Sequence, residues 1–186
     1  MGSPTTSKYG HISGWNTSEV TSMRFLFSAR RDDVGVAAKQ FNDDISGWNV
    51  DRAENIEGVF YGAESFNQDL SGWNVEKCTN MYHMFDGAES FNQDLLSWSV
   101  EKCKNMNSMF SEAKKFNKDI SRWNVGRMED MEGMFSSAES FNQDLSGWNV
   151  EKFKTMEYMF YLAKKFNKDS VKSWDLSGKN TNSMFA

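Results

Sequence analysis

Apolar positions along the chain fall into two alternating blocks with different periods. In the first, Leu70, Trp73, Val75, Cys78 and Met81 are apolar, and the same places hold Leu95, Trp98, Val100, Cys103 and Met106, then Ile120, Trp123, Val125, Met128 and Met131. Leu145, Trp148, Val150, Phe153 and Met156 repeat the block, and Ile12, Trp15, Thr17, Val20 and Met23 open it. Trp and Val two places apart is the alternation of a strand with one buried face. In the second block Met81, Met84, Phe85, Ala88 and Phe91 recur at steps of 3, 1, 3 and 3, which fits one face of a short helix. The pattern thus predicts parallel strands centred on Trp-x-Val, and helices beginning near Ile56, Met81, Met106, Met131 and Met156. Asn55, Asn80, Asn105, Asp130 and Thr155 precede those helices as N-caps.

The blocks belong to a repeat. Trp48, Trp73, Trp98, Trp123 and Trp148 each stand 25 residues after the last, and Phe-Asn pairs from Phe41-Asn42 to Phe166-Asn167 keep the same step. Trp15 precedes Trp48 by 33, so extra residues form an insertion near 29–36, expected as a protruding loop. Trp174 follows Trp148 by 26, a slip of one residue. One strand and one helix per unit describes an α/β, leucine-rich-repeat-like solenoid of about seven copies over residues 11–186, behind a flexible tail at 1–10. The alternative, a β-helix, needs strands where helices are read.

The string from Met81 to Leu95, MYHMFDGAESFNQDL, resembles the repeat of BspA-like bacterial and algal surface proteins. The likeness covers residues 11–186. It implies surface display and protein or adhesive binding, and it carries over no catalytic residue because the motif marks structure.

Composition narrows the classes. The chain has 186 residues with 15 Phe, 7 Trp and 12 Met, so its core is aromatic and Met-rich. A net charge of -5 gives no electrostatic reason to expect nucleic acid. No apolar run approaches a membrane span, and Met1–Gly10 lacks the apolar stretch of a signal peptide. The compartment is left open by composition; the resemblance alone points to the extracellular side or the cell surface.

Several residues could carry chemistry. Asp44, Asp69, Asp94, Asp119, Asp144 and Asp169 form a column that could chelate Ca²⁺, but bonding to turn backbone is the favoured reading, and no metal is expected. Cys78 and Cys103, at one repeat place, are expected as free core thiols rather than a disulfide. With His11 and His83 at unrelated places they make no zinc site. The Trp column and Met-Phe stripe read as packing, so no cofactor is expected. Glu89, Lys114, Glu139 and Lys164 alternate at one place and should pair between units.

The outward places beside Trp and Val form an Asn-rich column, an acidic column and a basic column, the last being Arg52, Lys77, Lys102, Arg127 and Lys152. Stabilising ladders and partner binding explain them equally well. Asn49, Asn74, Glu76, Glu101, Asn124, Asn149 and Glu151 are the candidate partner-binding residues there. Met184 and Phe185, in a helix motif without a following cap, are expected at an open core edge and complete the set. The reading is a non-catalytic recognition or scaffolding module with a protein partner, or a glycan. The alternative is an architectural subunit of a larger assembly. An enzyme would need a polar cluster that breaks the repeat.

Overall fold

The structure, a computed structural model, describes residues 10–31 and 35–185. The expected tail at 1–10, Gly10 apart, and residues 32–34 of the insertion lie outside the described residues.

The expected strand–helix repeat does not form. Among the described residues the only α-helix is Gly35–Gln40, with short 3-10 helices at Ile12–Gly14 and Lys168–Val171. Among the described residues no extended sheet is present, only isolated parallel bridges such as Ser22 to Asn55, Asn55 to Asn80 and Asn80 to Asn105. The leucine-rich-repeat reading is therefore wrong, and the β-helix alternative fails with it for want of strands.

Each repeat is instead a rope of reverse turns. In the unit around Trp73 the backbone N–H groups of Trp73, Cys78, Met84, Asp86, Ala88 and Phe91 donate to the carbonyls of Leu70, Val75, Met81, His83, Phe85 and Ala88, at 2.8–3.2 Å. A turn closed between residues three apart brings its two ends together. Leu70 and Trp73, Val75 and Cys78, Met81 and Met84, and Phe85 and Ala88 are such pairs of ends, and all are buried. The three-residue apolar step is thus a turn period that coincides with a helical one. The third residue of the turns at 81–84 and 85–88 has positive φ, 53° at His83 and 70° at Gly87. That geometry is the requirement of a type II turn and ends any α-helix.

Neighbouring units are laced along the turn face. Ile56, Gly58, Phe60 and Gly62 donate to the carbonyls of Asn80, Tyr82, Met84 and Asp86, at 2.7–3.0 Å. Met81, His83, Phe85 and Gly87 repeat this toward Asn105, Asn107, Met109 and Ser111. On the Trp face side chains do the lacing. Trp73, Trp98, Trp123 and Trp148 donate Nε1–H to the carbonyls of Ile45, Leu70, Leu95 and Ile120 in the unit before, at 3.0–3.2 Å. Trp174 still reaches Leu145 at 3.2 Å, so the slip of one residue is absorbed beside the Lys168–Val171 turn. At a third corner the backbone N–H of Asn67, Asn92, Asn117, Asn142 and Asn167 donates to Oδ1 of the Asn one unit earlier, at 2.8–3.0 Å.

Two aromatic columns fill the core. Phe60, Phe85, Phe110, Phe135, Phe160 and Phe185 stack with centroids 5.5–5.8 Å apart and planes within 11°. Phe41, Phe66, Phe91, Phe116, Phe141 and Phe166 form the second column at 5.8–6.0 Å. The two columns touch within each unit, as at Phe110 and Phe116, 3.9 Å apart. Offset parallel stacking is a favoured aromatic geometry, and here one backbone repeat imposes it throughout. Trp73, Trp98, Trp123 and Trp148 are buried as expected. At another core corner the side chain grows along the stack from Ala53 through Cys78, Cys103 and Met128 to Phe153, all buried.

The insertion differs from a plain loop. Ala29 still donates to the Tyr61 carbonyl at 2.7 Å, and Gly35 and Val36 already belong to the short helix, with Val36 exposed.

The turn geometry sets a stability test at Gly58. Its φ is 56°, and an added Cβ would sit 2.3 Å from the Phe25 ring. Gly58→Ala is expected to cost at least about 1–2 kcal/mol, the left-handed penalty for a residue with a Cβ, with ring displacement added. Gly47→Ala, whose Cβ would meet nothing within 4 Å, should change stability little. Equal denaturation midpoints for the two variants would contradict the turn assignment.

Candidate surface for partner binding

The Asn column is exposed and each of its amides has one end engaged. Oδ1 of Asn49, Asn74, Asn124 and Asn149 accepts from the backbone N–H two residues on, of Asp51, Glu76, Gly126 and Glu151, at 2.9–3.3 Å. These are side-chain-capped turns, the geometry Asn favours locally. The Nδ2 donors of these four residues make no hydrogen bond among the described residues. In these four units one pair of N–H donors is thus left for a ligand, while the unit between Asn74 and Asn124 has Ser99 at this place.

Three bases beside this column pair with acids of the unit before. Glu76 meets Lys102 at 2.9 Å, Glu101 meets Arg127 at 3.1 Å, and Glu19 meets Arg52. Glu151 is exposed and its carbonyl accepts from Lys179 Nζ at 2.9 Å. On the turn side the expected alternation holds: Lys114 bonds Glu89 at 2.7 Å and Lys164 bonds Glu139 at 2.9 Å, and Lys39 bonds Glu64 at 2.7 Å.

Asp44, Asp69, Asp94, Asp119 and Asp144 each accept at Oδ1 from the backbone N–H two residues on, at 2.8–2.9 Å. Asp169 departs from the column, its own N–H donating to Asn167 Oδ1 at 3.0 Å. The N–H of Ser46, Ser71, Ser121 and Ser146 holds the carboxyls of Asp44, Asp69, Asp119 and Asp144 below their ordinary range. A carboxyl depressed in the folded state contributes stability above its ordinary pKa, near 3.8. That contribution is lost as pH falls from there through the lower folded value. Urea midpoints are therefore expected to drop below about pH 4. Asp69→Asn with Asp119→Asn, which keep the acceptor but not the charge, should flatten that drop.

Asn55, Asn80, Asn105, Asp130 and Thr155, expected as helix N-caps, instead cap turns. Each side-chain oxygen accepts from the N–H two residues on, at 2.9–3.3 Å. Cys78 and Cys103 are free and buried, and each Sγ–H donates to a carbonyl, of Asn80 and Asn105. Burial pushes their thiols up to about 11 and about 12, which makes them inert as nucleophiles.

One sequence-derived placement needs correction. Met184 is 2% exposed and so is not an open core edge. Phe185 is half-buried, stacked 5.6 Å from Phe160 with Lys168 Nζ 5.1 Å above its ring. The sequence reading also missed a polar cluster that does break the repeat. His83 Nδ1 lies 2.7 Å from Asp86 Oδ2 without hydrogen-bond alignment, and its ring meets the Tyr61 ring edge-on at 5.3 Å. The Arg30 guanidinium covers Tyr61 at 4.0 Å. The sequence signal was His83 standing where the neighbouring units have Gly58 and Ser108. Among the described residues no group of His, Cys, Asp and Glu is arranged to hold a metal.

Two surface depressions lie on the Asn side, and one of about 340 Å³ lies on the turn side by Arg30, Tyr61, Glu64 and Asp86. One of about 280 Å³ is lined by Trp73, Asn74, Glu76 and Ser99, and one of about 270 Å³ by Trp148, Asn149, Glu151 and Lys179. A larger one, about 760 Å³, lies among the acid and base columns at Glu101, Lys102, Arg127 and Lys152. No helix of the described residues is long and apolar enough to cross a membrane.

These features define a repeat protein whose side chains serve mainly to lace one unit to the next. Residues 3–121 and 88–186 each match the family described as Mycoplasma protein of unknown function, DUF285, and the chain belongs to that family. No curated protein and no solved structure matches the chain.

Proposed function

We propose that the chain is a non-catalytic recognition module that binds a protein partner through the face bearing Asn49, Asn74, Asn124 and Asn149. The observation that carries this reading is the column of free Nδ2 donors beside depressions at Asn74 and Asn149. Glu76, Glu101 and Glu151 supply charge at the rim, where it sets specificity and encounter rate. The repeat is proposed to be of the BspA-like kind, displayed at the cell surface as a solenoid, in line with the MYHMFDGAESFNQDL string. Met184 is withdrawn from the contact set because it is core.

The test uses proteins of the native source retained on the immobilised full chain. Each is identified, purified and titrated against variants. Asn74→Arg with Asn124→Arg is expected to weaken binding at least about tenfold, the loss of about 1.4 kcal/mol that a blocked contact produces. Unchanged affinity for every retained protein would remove this face from the account.

A further inference from the structure

At one corner of one junction the lacing is missing, although Ser108, Phe110 and Glu112 still donate across that junction to Glu132, Met134 and Ser136. Across the other junctions a core residue donates to the next unit: Met81 to Asn105, Met131 to Thr155, Met156 to Asn180, at 2.8–3.2 Å. Among the described residues no such bond joins Met106 to Asp130, and the parallel bridges run from Asn80 to Asn105 and from Asp130 to Thr155 without one between. Met106 is fully buried, so its N–H is an orphaned donor, the kind of group native proteins satisfy with a partner. The opening coincides with the step from Cys103 to Met128 at the growing core corner.

The charge pairing breaks at the same place. Two bases in the column pair with the acid 26 residues before them, Lys102 with Glu76 and Arg127 with Glu101, while Lys77 forms no ion pair with Asp51 among the described residues. The residue 26 before Lys152 is Gly126, so Lys152 has no acid and makes no ion pair. Lys104 is unpaired too, because Glu129 is taken by Lys154 and the place one unit earlier is Thr79. Both free ammonium groups line the 760 Å³ depression with Arg127, and Asp130 is the one unpaired acid beside them.

We propose that the depression beside this corner is a cleft for an acidic peptide segment of a protein partner. Carboxylates of the segment neutralise Lys104 and Lys152, which line the depression beside the loosened corner. Polar groups left unpaired on the free protein and paired in the complex give a binding site its selectivity. The proposal deepens the recognition reading and rests on it, but it concerns a different set of residues from the Asn column.

The probe is an oligoglutamate peptide, titrated calorimetrically against the full chain at low and moderate salt. The chain is expected to bind it, and Lys104→Glu with Lys152→Glu to weaken binding at least about tenfold. Gly126→Glu restores the missing acid beside Lys152 and should weaken binding in the same direction. Its Cβ would meet Asn149 at an ordinary 3.5 Å, so the fold tolerates it. Lys115→Glu with Lys165→Glu makes the same charge change away from the cleft and should leave affinity nearly unaltered. Absence of binding to the unaltered chain, or an equal loss in the Lys115 and Lys165 variant, overturns the cleft. Either result leaves the Asn-face titration to stand or fall by itself.

Discussion

Phe110→Ala is expected to lower the unfolding free energy by about 3–5 kcal/mol, the range for truncating a large core aromatic. Phe110 is fully buried, with Phe85 at 5.5 Å on one side, Phe135 at 5.8 Å on the other, Phe116 at 3.9 Å and Trp123 at 6.2 Å. Removing it opens a gap in its own column and strips Phe116 of its contact with that column. Stability in a stacked repeat is close to a sum of unit terms and nearest-neighbour terms. A gap at a central unit therefore weakens two interfaces and should also broaden the transition. Phe27→Ala, at a half-buried ring, should cost clearly less. Equilibrium urea denaturation of both variants measures the difference. A loss under about 1 kcal/mol at Phe110 would place that ring outside a packed column.

Trp98→Ala is expected to cost a similar amount, about 3–5 kcal/mol, for two separable reasons. The indole is 4% exposed, and its Nε1–H donates to the Leu70 carbonyl at 3.0 Å. On this face no backbone ladder joins the units among the described residues, so the indole bond is the lacing. Trp98→Phe retains most of the packing and removes the donor. It should cost about 1–3 kcal/mol, the range for leaving a buried acceptor unsatisfied. If Trp98→Phe is neutral while Trp98→Ala is not, the indole acts by volume alone.

The repeat and its core were legible in the sequence because stacking demands the same side chain at the same place. Trp48 to Trp148, the Phe columns and the Met places all emerged in register, and all but the end rings Phe41 and Phe185 are buried. The backbone was not legible, because turns closed between residues three apart and a helix bury nearly the same positions. The discriminating signal was present in Gly58, Gly62, Gly87 and Gly133, which stand inside the supposed helices and have positive φ. Glycine in a helix interior costs about 1 kcal/mol relative to alanine, so four of them argue for turns. The Trp-x-Val alternation gave burial correctly but not pairing, since an extended segment can be held by indoles instead of a sheet. Between-unit charge pairs at Glu89 and Lys114 were legible because an ion pair needs only register. The broken pair at Lys152 became visible only once the offset of 26 residues was known.

The stacked-turn architecture rests on which carbonyl each backbone N–H of the second block meets. Through-hydrogen-bond scalar coupling by nuclear magnetic resonance reads that pairing directly. The account predicts coupling from Phe85 N–H to the carbonyl of Met109 and from Gly87 N–H to that of Ser111, one unit along the stack. Coupling from Phe85 N–H to the carbonyl of Met81, the helical partner four residues back, would contradict it.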